Sequence, residues 1–452
     1  MIYNFLYSVL SEFTLNLYCN SHSNAKSKKS GMETDFKPLE TSTDSRKCGE
    51  FKSIVNLVLT AVGVGMLALP RATAQSGWAI GVLLLLTTWG LSQFMMHLLW
   101  KCVKSQNQSG LSKVDSYGGI GEAALGRYGR LIVAFSMYTG LSAICVIILI
   151  SLGSGLNHLT KTLGLPTWIK ISALCILPLS WLPSLKEVGV LSAVGVVATC
   201  LVSFVILAAA IVRDPSDRGE ISATPIGIGG LAMSFIEFMN SFTVAPVIPT
   251  IICGMRDPSR YPRVATYGFA IMTLLFAIIG FAGYAGWGDA LLSKKGGNIT
   301  DLIADSASQT YSTICQVAIV VVALSHFLVM FNPIALLSDS CVDMMPLQES
   351  PRALKRVIKT LARSSLVALM LLLALYVPSF GTVVDLVGAT VVLPLQVIFP
   401  ITFFEILCKD EIRSYSETRR LIYRIVFLIS IGIAFATMGY GLYNVITTWS
   451  ST

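Results

Sequence analysis

Apolar residues recur along the chain in runs of about 18 or more, parted by short polar stretches that hold most of the charge, and such runs cross a hydrocarbon core as helices. Eleven spans are predicted: Lys52–Ala74, Trp78–Trp100, Leu131–Gly155, Trp168–Leu182, Val188–Val212, Gly229–Ile252, Val264–Trp287, Tyr311–Leu337, Thr360–Val377, Phe380–Leu407 and Leu421–Val445. The fourth is short and flanked by proline. Short alternating segments of the kind a closed barrel needs are not found. Ahead of the first span the pattern changes: "SHSNAKSKKSGMETDFKPLETSTDSRK" is polar and rich in Ser and Lys, which predicts disorder. The chain therefore divides into a tail, residues 1–51, and a membrane domain, residues 52–452. The first 20 residues are apolar but lack a basic start and contain Glu12, so no cleaved signal is predicted.

Basic residues orient these spans, because Lys and Arg gather on the cytoplasmic side. With a cytoplasmic N-terminus, 26 of the 33 Lys and Arg face the cytoplasm and 7 the other side. Removing the fourth span would invert everything after it, placing 4 basic residues inside and 13 outside in those loops. Eleven spans put the C-terminus on the extracellular or lumenal side. They also put the sequon Asn298-Ile299-Thr300 there, as a glycosylation candidate, and leave Asn107-Gln108-Ser109 inside.

Composition agrees with this picture. Only 13% of the 452 residues are charged and 54% are apolar, with mean hydropathy +0.70, whereas a soluble domain carries about 25% charge. The net charge of +8 resides in loops, so a nucleic-acid partner is excluded and the lipid bilayer is the expected one. Ten cysteines are scattered without a CxxC or a Cys/His cluster, which predicts neither a metal site nor a disulfide framework. No GxSxG, His-box or paired-Asp motif marks a catalytic site, and an enzyme is not expected.

Two spans break the pattern. "GVGMLALPRATAQSGW" places Gly63, Gly65 and Pro70 inside the first span. Glycine and proline lower helical preference there and remove a donor. Small residues also serve merely to pack helices closely, so this motif alone is ambiguous. In lipid, non-helical backbone persists only where protein or a water-filled cavity satisfies it. Transporters use such interrupted helices in corresponding positions of two repeats. The sixth span, "AMSFIEFMNSFTVAPVIPTIICGM", carries Pro246 and Pro249 behind Asn240, Ser241 and Thr243. Interruptions five spans apart are what a five-plus-five repeat requires, and they favour a binding site over packing.

These segments resemble the amino acid/auxin permease family within the LeuT-type superfamily. "NLVLTAVGVGMLALPRATAQSGW", "SYGGIGEAALGRYGR", "PTIICGMRDPSRYPRV", "GYAGWGD" and "VPSFGTVVDLVGATVVLPLQVIFP" resemble its motifs, in the family's order and on the corresponding spans. The resemblance implies an all-α integral membrane fold of eleven helices: a LeuT-type five-plus-five inverted repeat, with helices one and six broken, plus one extra helix. It implies an amino acid substrate whose carboxylate meets the backbone of Gly63, Val64 and Gly65. The ammonium would meet carbonyls and hydroxyls near Asn240, Ser241 and Thr243. Ser136, Tyr138 and Thr139 on helix three would form a side wall, or simply bond between helices. Leu59 stands where the family's sodium-coupled branch has a second Asn, so protons or exchange are expected rather than sodium, with no cofactor. Thr243, Val244 and Ala245 replace the usual Gly pair and His.

Ionisable residues at membrane depth default to function, which singles out Glu237, His326 and Asp385 as proton-coupling candidates, each with a purely structural alternative. Arg71 lies near the outer end of helix one, where snorkelling to the headgroups is expected. Solvation at span ends accounts for His97 and Glu405, and Asn332-Pro333 marks a bend in helix eight. The expected activity is secondary active transport by alternating access, at the plasma membrane or a vacuolar or lysosomal membrane. The alternative is a sensor that binds an amino acid and signals through its tail to a cytoplasmic partner without net flux.

Overall fold

A computed structural model describes residues 48–109, 114–181, 185–292, 298–344, 352–376 and 380–450. The predicted tail, apart from its last few residues, lies outside them. Among the described residues helices make up the fold, and the extended pairing is an isolated parallel bridge between Cys48 and Met255.

The first predicted span is two pieces. Helix α1 runs Glu50–Ala61, with Glu50 in its first turn, where a carboxylate complements the helix dipole. The backbone then extends through Val62 and Gly63, tightens into a 3-10 turn over Val64–Ala68, and resumes as α2, Leu69–Ser76. Pro70 falls in the first turn of α2, where its missing N–H costs nothing. Next come α3, Trp78–Ser109, and α4, Tyr117–Thr160. Gly126, at φ 64°, bends α4 into a short leading leg and a long crossing leg. Helices α5, Leu165–Ser180, and α6, Leu185–Val212, follow.

The sixth span is likewise divided: α7 is Ile228–Ser241, a 3-10 turn covers Ala245–Val247, and α8 is Ile248–Gly254. Then come α9, Tyr261–Trp287, the short α10, Ile299–Ser306, α11, Gln309–Met344, and α12, Arg352–Tyr376. Proline 333 lies within α11. Helix α13, Phe380–Val387, passes through two π-helical segments, Gly388–Val392 and Pro394–Ile398, into α14, Phe399–Leu407. A short α15, Lys409–Ser414, and the long α16, Glu417–Ser450, complete the chain.

Among the described residues, 8 helical stretches are long and apolar enough to cross a bilayer. The other three expected spans fall on shorter pieces: the interrupted α1–α2, the 16-residue α5, and α6 with its apolar stretch Val197–Val212. Outward-facing side chains such as Leu428, 72% exposed, and Leu174, 71% exposed, would be a liability in water and are at home against lipid. Inside, α11 lies between α4 and α6, and the interrupted helices pack against α3, α9 and each other.

Candidate functional site

Helix α1 ends because Val62 (ψ 98°) and Gly63 (φ −155°, ψ −160°) leave the helical region. Its last bond is the Val62 N–H to Val58 O, 3.0 Å, and the next piece starts with the Met66 N–H to Gly63 O, 3.2 Å. The amides of Gly63, Val64 and Gly65 lie between, without helical acceptors, like those at any helix start. Glycine at 63 admits a neighbour: a Cβ there would come within 2.8 Å of His326 Nε2. At Gly65 a Cβ would have nothing within 4 Å. His326, on α11, thus stands against the break.

The break in the sixth span is finished differently. The Gln396 side chain donates from Nε2 to Phe242 O at 2.8 Å, while its Oε1 accepts the Ala245 N–H at 3.3 Å. One fully buried amide satisfies a freed carbonyl and a freed N–H on either side of the gap. The π register of the second π segment also explains a second bond. A π turn would pair Leu395 O with residue 400, a proline without an N–H. The Tyr117 hydroxyl donates to Leu395 O instead, at 2.7 Å. Sequence reasoning missed Gln396; its one signal is a lone amide in the apolar run "VVLPLQVIFP".

The Ser241 hydroxyl donates to Glu237 O at 3.1 Å and the Thr243 hydroxyl to Met239 O at 3.0 Å. Their protons are committed to their own helix, which leaves oxygen lone pairs able to accept from an ammonium. Asn240 is half-buried beside them. Helix α4 touches this break and the first π segment, where Gly140 abuts Val391. Ser136 and Tyr138 are half-buried on α4, whereas Thr139 is exposed rather than packed into the site.

On the far side of both breaks from the entering chain lies an ion cluster. Arg71 Nη1 is 3.1 Å from Glu237 Oε1, and Arg71 Nη2 is 2.9 Å from Asp385 Oδ2. This corrects the expectation for Arg71, which does not snorkel: depth in a span gave no hint of two inward-facing carboxylates. Glu237 is 0% and Asp385 2% exposed. Gly381 makes room for the guanidinium, since a Cβ there would lie 2.3 Å from Nη1. Among the described residues, both Glu237 oxygens and Asp385 Oδ1 lack a hydrogen-bond partner apart from the Arg71 contact to Glu237. Two of the three proton-coupling candidates are therefore joined through one arginine, and the third, His326, sits apart at the helix-one break.

Asn298 caps α10, its side-chain oxygen accepting the Thr300 N–H at 3.1 Å, and it is only 2% exposed. That geometry suits a helix cap rather than a glycan carrier. No group of His, Cys, Asp and Glu among the described residues is arranged to hold a metal ion.

The profile of a family described as transmembrane amino acid transporter protein matches residues 46–447. Relatives from Arabidopsis thaliana include amino acid transporter AVT1E, 26% identical over 83% of this chain and 70% of its own. Amino acid transporter AVT1H is 26% identical over 86% of this chain and 89% of its own. Amino acid transporter ANT1 is 26% identical over 90% of this chain and 94% of its own.

Proposed function

The chain belongs to the transmembrane amino acid transporter family, a family of transporters and not of enzymes, and from that premise we propose that it carries amino acids across a membrane by alternating access. In this reading eleven spans, ten of them in a five-plus-five inverted repeat, surround a site at the two breaks. The N-terminus is cytoplasmic, and the membrane is the plasma membrane or that of a vacuole or lysosome. The observation that carries the proposal is the pair of interruptions, at Val62–Gly63 and Phe242–Val244, with the helix-one amides left without helical acceptors. An N-terminal helix end offers N–H groups and positive potential to a carboxylate. The Ser241 and Thr243 oxygens offer lone pairs to the ammonium.

Charge counting supports proton coupling. Glu237 and Asp385 share one guanidinium, so the buried cluster carries one excess negative charge when all three are ionised. A proton on either carboxylate removes it, as in other carboxylate pairs that share a site. Uptake of labelled amino acids into proteoliposomes, with an imposed pH gradient and sodium replaced, tests the proposal. Sodium-independent, gradient-driven accumulation is expected. Saturable binding without flux under any gradient would overturn it and favour an amino acid sensor.

A further inference from the structure

A histidine that neither break uses stands between two carboxylates. Helix α4 starts beside α8, where the Cys253 thiol donates to Val114 O at 3.3 Å, crosses the molecule and ends against α10. In the proposed orientation that end is extracellular or lumenal. His158 lies in the last turn of α4, where a positive charge complements the helix dipole. Asp301 and Asp305, one turn apart, share a face of α10. His158 Nε2 is 3.7 Å from Asp301 Oδ1, and its Nδ1 is 3.7 Å from Asp305 Oδ1. Each ring nitrogen thus faces its own carboxylate. A neutral imidazole has one N–H and one bare nitrogen, so it suits one carboxylate and turns a lone pair toward the other. The protonated ring suits both.

The rest of the hold on α10 comes from groups that keep their charge near neutral pH. Asn298 caps it, Gln316 Nε2 donates to Thr300 O at 2.7 Å, and Arg213 Nη1 donates to Ser306 Oγ at 2.8 Å. The Ser154 hydroxyl donates to Asp301 Oδ1 at 2.7 Å. Other ionisable groups on the elements packed around the ring leave it alone. Lys161 beyond the end of α4 and Lys170 on α5 are exposed, Arg213 beyond α6 is bonded to Ser306, and α11 offers the Tyr311 phenol. Burial is the largest influence on Asp301 and pushes its carboxyl above the ordinary value, against the Ser154 bond and His158. Helix α10 also touches the 3-10 turn Val64–Ala68 that follows the helix-one break, and Ile299 and Pro70 both crowd Gly283. What holds α10 therefore bears on the broken helix.

We propose that His158 is a regulatory proton site: a proton on its imidazole fastens α10 to α4 and its loss loosens α10, so that pH on this face adjusts transport through a proton that is not itself carried. The effect on flux rests on the transporter reading, whereas the fastening of α10 does not. Three charges set the direction. Above the ordinary imidazole value, about 6.5, a neutral ring stands beside two anions and the hold is weak. Below it, one cation binds both carboxylates and the hold is strong.

Hydrogen–deuterium exchange of the full chain in lipid nanodiscs, corrected for the intrinsic pH dependence of amide exchange, reads the hold on residues 299–306. Protection is expected to rise several-fold as pH falls through the imidazole range, and to stay low and flat in His158→Gln. His158→Arg, charged throughout, should protect α10 at every pH. A flat profile in the parent, or one that His158→Gln reproduces, would overturn the proposal. Should His158→Gln not fold, Asp305→Asn, at the partner that is 64% exposed, removes one anion and should move the midpoint to lower pH. An unmoved midpoint overturns the proposal equally. Proteoliposome uptake, with both compartments shifted together so that the pH difference is constant, reads the effect on flux. The parent's rate should change with pH more than that of His158→Arg, and equal changes would sink the regulatory role. Absence of uptake by the unmodified protein would instead overturn the transporter reading and leave the exchange result standing.

Discussion

Both breaks contain proline, but glycines open the first, whereas Thr243, Val244 and Ala245 form the second and a buried side chain bridges it. At Gly63–Gly65 the first amides of the resumed helix have no helical acceptor, and His326 packs against the break because Gly63 carries no Cβ. At Phe242–Ala245 a buried glutamine from the tenth span fills both vacancies. A gap that the protein satisfies for itself is a structural joint. A gap left to something else is a place for a ligand. In the proposed reading this asymmetry favours helix one for the substrate carboxylate and makes the sixth span a stiffened hinge beside it.

Arg71 binds the two interrupted helices to α13, and its loss is expected to have the largest effect. Arg71→Ala strands Glu237 and Asp385, and removing one side of a buried ion pair costs about 3–5 kcal/mol. A large fall in melting temperature in detergent is expected, with Asp385→Asn in the same background restoring part of it. If Arg71→Ala melts like the parent, the cluster is solvated and the comparison fails.

Gln396→Leu should come next. It leaves Phe242 O and Ala245 N–H buried without partners, and such groups cost about 1–3 kcal/mol each. Melting should fall, while uptake per folded molecule falls less, because the joint loosens but the site survives. Equal losses in both would mean that Gln396 touches the substrate.

The glycines sharpen the contrast. Gly63→Ala drives a methyl against His326 and is expected to lower uptake about 100-fold, or about 2.8 kcal/mol at tenfold per 1.4. Gly65→Ala meets no protein atom within 4 Å. It should therefore raise KM for bulky substrates by no more than about tenfold, or 1.4 kcal/mol, and leave melting unchanged. The opposite ranking would move the substrate away from helix one.

The smallest effect belongs to the periphery. The Glu411 carboxylate accepts from Lys101 and Tyr415, at 2.6 and 2.5 Å. Burial works to raise its pKa, but these bonds outweigh burial and hold it below the ordinary carboxylate value. A lowered carboxyl pKa contributes stability above the unfolded value and loses it as pH falls through the folded one. Melting of the parent should thus exceed that of Glu411→Gln at neutral pH, and the two should converge in acid. A constant difference across that range would assign the effect to packing.

Much of this was legible in the sequence, for a physical reason. Glycine and proline act on the backbone where they stand, so both interruptions could be read from "GVGMLALP" and "FTVAPVIP" without knowing any neighbour. Partnerships were not legible. Arg71 meets Asp385 across 314 residues, and Gln396 meets the sixth-span break across 151 and 154. Hydropathy reports how deep a residue lies, not what faces it, and so Arg71 read as a snorkelling residue. Glu237 and Asp385 could be singled out as ionisable groups at depth, but not as a pair. His326 could likewise be named, though not the glycine it rests on.

The Arg71 cluster also has an electrical consequence. Arg71 and Glu237 ride on the two interrupted helices, whereas Asp385 belongs to α13. If the interrupted helices move as a unit, they carry a cancelled pair, and the negative charge left on α13 stays in place. A full charge crossing the field would be worth about 2.3 kcal/mol per 100 mV, but a neutral pair feels almost none of it. The reorientation step should therefore run at nearly the same rate across physiological voltages. A steep voltage dependence that persists in Asp385→Asn would mean that the arginine and the glutamate travel separately.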